Sequence, residues 1–172
     1  HLMTALAASN DPIAAPALAA AVELQRAYVA GGGGGGKWQT LSVGEDLVIG
    51  MYVGRPDNPG KLAHTRFESV DLRGLELEWA DLSGCLCRGQ DLAGARLSGC
   101  LMIDGDWGGS SFRGARLAQV DLSRSRLVGC DFRDADLTGT DFENADLTDA
   151  DLRGARTDGT RFPGAKLGGA KR

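Results

Sequence analysis

From Phe67 to Leu167 every fifth residue is apolar, with Thr157 the single exception. The column runs Phe67, Leu72, Leu77, Leu82, Cys87, Leu92 and Leu97, then through Met102, Trp107 and Phe112 to Phe162 and Leu167, and it takes in all five phenylalanines of the chain. Two positions earlier runs a second column of mostly small residues, among them Thr65, Ala80, Cys85, Ala95, Cys100, Ala115, Ser125, Cys130 and Ala145. Asp is the commonest residue between the two columns, and Gly recurs two residues after the central one. A helix repeats every 3.6 residues and a strand every 2, so neither returns one residue type at every fifth position. Two inward columns separated by one outward residue, with a turn-favouring residue closing each unit, predict a short extended side followed by a corner. Coils stacked on one another would then satisfy each other's backbone groups, as strands do in a sheet.

The N-terminal third follows other rules. Residues 1–13, opening on His1-Leu2-Met3, read as a tag remnant and disordered leader. Residues 14–30 are rich in helix formers, with Pro16 in a plausible first turn, and predict a helix. Gly31 to Gly36 end it; the Gly-rich linker they form with Lys37, residues 31–37, is expected to be a flexible tether that lets the helix move. A phosphate-binding reading of the tract fails, because Trp38 follows Lys37 where Ser or Thr would be needed. Two β-prone runs, Trp38 to Val43 and Leu47 to Val53, flank Gly44-Glu45-Asp46 and predict a hairpin. A stack of coils exposes its core at each end, so residues 38–61 are expected to form the lid on the array at 62–170.

Composition narrows the function. Formal net charge is −4 and the pI about 5.2, away from the basic balance of nucleic-acid binders, so no direct nucleic-acid contact is expected. No run approaches the length of a membrane span and no signal segment opens the chain; the expectation is a cytoplasmic protein without membrane contact. Cys85, Cys87, Cys100 and Cys130 lack metal-ligand spacing and are expected to be buried free thiols. No pairing of His with carboxylate, no nucleophile set and no ligand cluster is present, so neither an enzyme nor a cofactor or metal site is expected.

The units Ala80-Asp-Leu-Ser-Gly84, Ala135-Asp-Leu-Thr-Gly139, Ala145-Asp-Leu-Thr-Asp149 and Ala150-Asp-Leu-Arg-Gly154 resemble the motif of the pentapeptide repeat family, Ala-(Asp/Asn)-Leu-x-x. The resemblance implies an all-β fold, a right-handed quadrilateral parallel β-helix with four units to a coil, here about five coils. Departures stand out at Leu75 and Gln90, in small-residue positions, and at Trp107 in a central one. Gly105 makes room for Trp107, and Gly108-Gly109 suggest a bulge over 104–110; a binding notch around Trp107 is the functional alternative.

With four units to a coil, residues twenty apart share a face. One face carries Asp71, Asp91, Asp131 and Asp151 beside Arg73, Arg113, Arg133 and Arg153, a self-neutralised ladder; a third is mixed. Another carries Asp81, Asp121, Asp141 and Glu143 and is expected to meet a basic protein partner. Leu101 and Ile103 stand on that face, with Leu86 near the adjoining corner; they mark either a contact or local packing beside Trp107. The reading is a non-enzymatic protein-interaction or scaffold module. Some members of the family bind DNA gyrase or topoisomerase IV by imitating duplex DNA, protecting it from quinolones or peptide toxins, so the resemblance also offers a type II topoisomerase partner. Against bulk mimicry, residues 62–172 hold 18 acidic and 15 basic side chains, a net of −3. A duplex about 25 Å long would carry roughly fifteen phosphates. Finally, Leu152, Phe162 and Leu167 in the last coil lack a following coil to cover them, and an end-to-end homodimer is expected there.

Overall fold

A computed structural model describes residue 13 and residues 15–31, 37–42, 48–53, 64–67 and 70–172. Within the repeats, parallel bridges join residues twenty apart, from Arg66 to Leu86 through to Asp151 and Lys171. Four five-residue units therefore complete one coil. Four kinds of backbone bond recur, one of them from the second corner residue's N–H to a carbonyl nineteen residues ahead, as Trp79 donates to Ser98 (3.0 Å). The N–H of a central residue donates to a carbonyl nineteen residues ahead, as Leu82 does to Leu101 (2.7 Å), and an outward residue donates to the small residue twenty-one back, as Leu101 does to Ala80 (3.1 Å). Most corners close with a bond such as Ala80 N–H to the Leu77 carbonyl (3.1 Å), while the N–H groups of Gln90 and Gly105 donate to the Ser110 and Ser125 hydroxyls. The second residue of every described corner has positive φ, as a type II turn requires, which is why Gly dominates that position.

The two sequence columns face inward. Leu77, Met102, Phe112, Leu117, Phe132 and Phe142 are fully buried, as are Ala80, Ala95, Ala115 and Ala135 from the small column. Phe112 stacks on Phe132 and Phe142 on Phe162, with centroids 5.2 and 5.3 Å apart. Polar small-column residues find an acceptor: Cys100, Ser110, Ser125, Cys130 and Thr140 each donate to the carbonyl of the central residue twenty-three back. The Leu77, Trp107 and Leu117 carbonyls also accept the corner N–H through a second lone pair, whereas the Ser110 and Ser125 hydroxyls stand between corner and carbonyl and accept the Gln90 and Gly105 N–H groups. All four cysteines are free and buried, and burial pushes their thiols up, Cys87 and Cys130 to about 12.

The expected bulge at 104–110 does not form. Leu86, Asp106 and Arg126 bridge in unbroken steps of twenty, and Trp107 is 1% exposed within the regular path. The side chain that Gly105 lacks is the reason, since a Cβ there would fall 2.3 Å from the indole nitrogen.

Helix α1 (Ala15–Ala30) does not behave as a free appendage. Ile13, Leu18 and Ala21 belong to the same buried cluster as Phe67, Leu72 and Leu77, so Ile13, read from the sequence as leader, is core. Gln25 is buried, and its amide donates to the Glu78 carbonyl (3.0 Å). Arg26 reaches Glu76 (2.9 Å) and Glu23 (2.7 Å). A helix this short is marginal alone, so its buried stripe on the first coil is what makes it a helix here. Strands β1 (Lys37–Ser42) and β2 (Val48–Val53) pair antiparallel, Trp38 opposite Tyr52. The turn expected at Gly44-Glu45-Asp46 and the tether Gly32 to Gly36 lie outside the described residues.

Candidate functional site

Each coil has four sides, told apart by the outward residue that precedes the central one. The first side carries the ladder Asp81, Leu101, Asp121, Asp141 and Arg161; the second carries Arg66, Leu86, Asp106, Arg126, Asp146 and Lys166. The third carries Asp91, Ser111, Asp131, Asp151 and Lys171, and the fourth Glu76, Arg96, Arg116, Asp136 and Arg156. A typical unit folds its own outward Asp back, so that one carboxylate oxygen accepts the N–H of the residue two later, as in Asp121 to Ser123 (3.0 Å) and Asp141 to Glu143 (2.9 Å). Asp therefore recurs between the columns because it closes the corner, before any question of a partner arises.

The first side is less acidic than its aspartates suggested. Asp81 is a correction: at 1% exposure it meets no partner. It lies at the N-terminal end of its ladder, bridged to Leu101 and beside the segment from His64, with one oxygen on the Ser83 N–H (2.9 Å) and the other unpartnered. Burial pushes its carboxyl up, and the Ser83 hydrogen bonds only partly oppose this. Asp141 is held by Arg161 (2.8 Å), which stands twenty residues on. Arg124 grips Asp104 through two bonds (2.9 and 3.1 Å), and its guanidinium is raised by that carboxylate first, then by Asp121 and Glu143. Asp104, Arg124 and Arg161 were the residues the sequence reading missed. Applying the spacing of twenty to every outward position, and not to the acidic ones alone, would have found Arg161.

The structure does bring Leu101 and Ile103 together with Asp121 and Glu143 on the first side, all outward and at least partly exposed. Leu86, 38% exposed, stands on the second side one coil earlier, and Val128 on the same side one coil later. Other outward positions of the described repeats are mainly charged, small or polar, with Trp79 laid over Gly99. Thus Leu86, Leu101 and Ile103 flank the edge where the first and second sides meet, about the coil that contains Trp107, while Val128 stands at the far end of the second side. In the last described coil Phe162 and Leu167 are only partly buried, Leu152 is 5% exposed, and the Arg172 guanidinium lies 5.5 Å from the Phe162 ring centroid. Among the described residues no group of His, Cys, Asp and Glu is arranged to hold a metal ion, and no helix is long and apolar enough to cross a membrane.

Coils of twenty residues joined by parallel bridges, with Leu and Phe inside and Asp at the corners, define a parallel β-solenoid built on five-residue units. The chain belongs to the pentapeptide repeat family, whose members form right-handed β-helices: the model of pentapeptide repeats matches residues 60–89, 91–129, 115–154 and 130–169, in eight copies. Similar solved structures include a pentapeptide repeat protein of the Arabidopsis thaliana thylakoid lumen, 32% identical over 58% of this chain and 66% of that one (TM-score 0.46). Another is the plasmid-mediated fluoroquinolone resistance protein QnrB1, 25% identical over 52% of this chain and 43% of that one (TM-score 0.37). A third is HetL of the cyanobacterium Nostoc, involved in the regulation of heterocyst differentiation, 25% identical over 63% and 60% (TM-score 0.31). The chain spans no more than 66% of any of these three. No curated protein matches.

Proposed function

We propose that this chain is a non-enzymatic protein-interaction module whose contact surface is the corner between its first and second sides. The observation that carries the reading is the grouping of Leu86, Leu101 and Ile103 about that one corner. Outward aliphatic side chains grouped in this way mark contacts, while singly scattered ones do not. A partner would bury the aliphatic group and meet Asp121 and Glu143 beside it with basic side chains; Asp141 contributes less, being paired already. The test is capture of binding proteins by the native chain, by the Leu86→Ser, Leu101→Ser, Ile103→Ser triple variant, and by a third-side control, Arg133→Ala with Arg153→Ala. Loss of the same bound protein in the triple variant alone supports the corner; equal capture by all three rejects it.

The family resemblance also offers a type II topoisomerase as partner. Two of the first side's four exposed carboxylates, Asp104 and Asp141, are tied to Arg124 and Arg161, which leaves little of the charge that imitation of duplex DNA would need. A gyrase supercoiling assay with and without quinolone separates the readings, and relief of quinolone inhibition would favour the topoisomerase. For the last coil, we infer an end-to-end homodimer through Leu152, Phe162 and Leu167, because aromatic and aliphatic core side chains there are incompletely covered. Light scattering tests it: Phe162→Asp should halve the mass, and an unchanged mass refutes it.

A further inference from the structure

We propose that the cleft between α1 and the fourth side of the solenoid is a binding site for a small primary alkylammonium ion. It lies away from the corner between the first and second sides and is independent of it. The helix plugs the start of the first coil and is fixed there at two points. The Arg66 carbonyl accepts the Ile13 N–H (2.9 Å), and the Glu78 carbonyl accepts the Gln25 side-chain amide (3.0 Å). Ile13, Leu18 and Ala21 join the cluster of Phe67, Leu72 and Leu77. Between the helix and the solenoid lies a cavity of about 290 Å³, lined by Gln25, Arg26, Val29, Glu76, Glu78 and Arg96. Its volume is close to the lower bound of about 300 Å³ for small-molecule sites.

Two observations define what the cleft would take. Gln25 is 1% exposed, its NH2 group is engaged by the Glu78 carbonyl, and its Oε1 accepts no hydrogen bond among the described residues. A buried acceptor without a donor is costly, so a ligand that brings an N–H is favoured beside it and one that brings a further acceptor is not. The second observation is the charge balance. Arg26 holds Glu76 (2.9 Å) and Glu23 (2.7 Å), and Arg96 holds Glu78 (2.9 Å) with Glu76 at 3.9 Å. Two guanidiniums thus serve three carboxylates. Arg116, one rung further along the fourth side, lines no part of the cleft and bridges on to Asp136. An anion would find both arginines engaged and the carboxylates against it, whereas a monocation brings the cluster to neutrality. Arg96 takes one oxygen of Glu78 through Nε, which leaves the other for a further donor. Val29 and Ala30 give the wall an apolar part. An ammonium on a short alkyl chain answers all of these, with three donors for the acceptors and a hydrocarbon stem for the apolar wall. The carboxylates are partly exposed, so the binding is expected to be weak.

The experiment titrates n-butylammonium chloride, to millimolar concentration, into the isotope-labelled full chain and follows it by NMR. Saturable shifts should appear at the Gln25 side-chain amide and at the backbone N–H groups of Gln25, Val29 and Glu78. Tetramethylammonium, a cation without N–H, and butyrate, an anion of similar size, should give none. Glu78→Gln, which keeps the shape and removes one charge, should weaken butylammonium by about tenfold. Val29→Trp, which fills the cleft and leaves its charges alone, should abolish binding. Linear, unsaturable shifts with butylammonium overturn the proposal. So does tetramethylammonium binding as well as butylammonium, and so does a Glu78→Gln variant that binds as the native chain does. Should Val29→Trp displace the helix, the native and Glu78→Gln titrations decide alone.

Discussion

The third side of the solenoid and the corner between its first and second sides are written in the same five-residue unit and end up chemically opposite. On the third side, Asp71 with Arg73, Asp131 with Arg133 and Asp151 with Arg153 repeat one arrangement, in which the carboxylate takes the N–H of the residue two later and that residue's own guanidinium (2.9 to 3.0 Å from Nε). The guanidinium holds each carboxyl below the ordinary carboxylate range, Asp71 at about 2. Each of these three units neutralises itself, whereas Asp91 is followed by Ala93, and Arg113 has no acid in its own unit. About the corner, the equivalent positions hold Leu86, Leu101 and Ile103, and Asp121 turns to its own Ser123 instead of to an arginine. The interior does not distinguish the two, since Phe132 beneath the third side and Trp107 beneath the corner are both buried. In this fold the outward residues can be chosen without disturbing the inward ones, so a departure on the outside asks for an explanation outside.

The largest effect should come where the two regions are alike. Phe132→Ala and Trp107→Ala are each expected to cost about 3–5 kcal/mol of stability in chemical denaturation, because neither site can collapse between stacked coils. A much smaller loss for Trp107→Ala would mean that the corner rests on a softer interior than the third side, and would break the comparison. Next comes Asp81→Asn. Because burial raises the folded-state carboxyl above its ordinary value of 3.8, folding loses stability as pH rises from that value through the raised one. The variant should therefore melt higher than the native chain at pH 7, with the gap closing below the ordinary value; an equal gap at low pH would refute the assignment.

The sign reverses on the third side, at smaller magnitude. The depressed carboxyls of Asp71, Asp131 and Asp151 contribute stability that is present above 3.8 and lost as pH falls through their folded values, near 2 for Asp71. Arg73→Ala, Arg133→Ala and Arg153→Ala together should lower stability slightly at neutral pH, exposed pairs being screened by solvent, and so move acid unfolding to higher pH, the loss fading below the folded values. An unmoved acid midpoint would say that the ladder is ornamental. Smallest of all, Leu101→Ser with Ile103→Ser should shift stability by no more than about 0.5 kcal/mol, as surface changes usually do. A loss as large as that of a core residue would make these two side chains packing under the corner and not a surface for contact.

The repeat was legible because a coil of four units constrains every inward position alike; Leu82, Leu122 and Phe142 occupy one column for one physical reason. The same regularity exposed Trp107 as an exception and Gly105 as its compensation, though the glycines after it suggested a bulge that the continuous ladder does without. What could not be read was whatever depends on a contact outside the period. Ile13 and Gln25 carry no repeat signal, and the glycines after α1 argued for freedom, so the plug on the first coil went unseen. Asp81 looks like any other corner aspartate and differs only in what surrounds it. Arg124 and Arg161 were open to the same arithmetic as their acidic neighbours, and the charge of the first side was overstated because pairs twenty residues apart were not balanced against one another.

The claim that the corner is the contact surface is tested most directly by a photo-crosslinking amino acid placed at position 103 and, separately, at position 133, in cells that make the full chain. The account expects a discrete, reproducible adduct from position 103 that Leu86→Ser and Leu101→Ser abolish, and none from position 133. An adduct from position 133, or silence at position 103 while position 133 reacts, would contradict it.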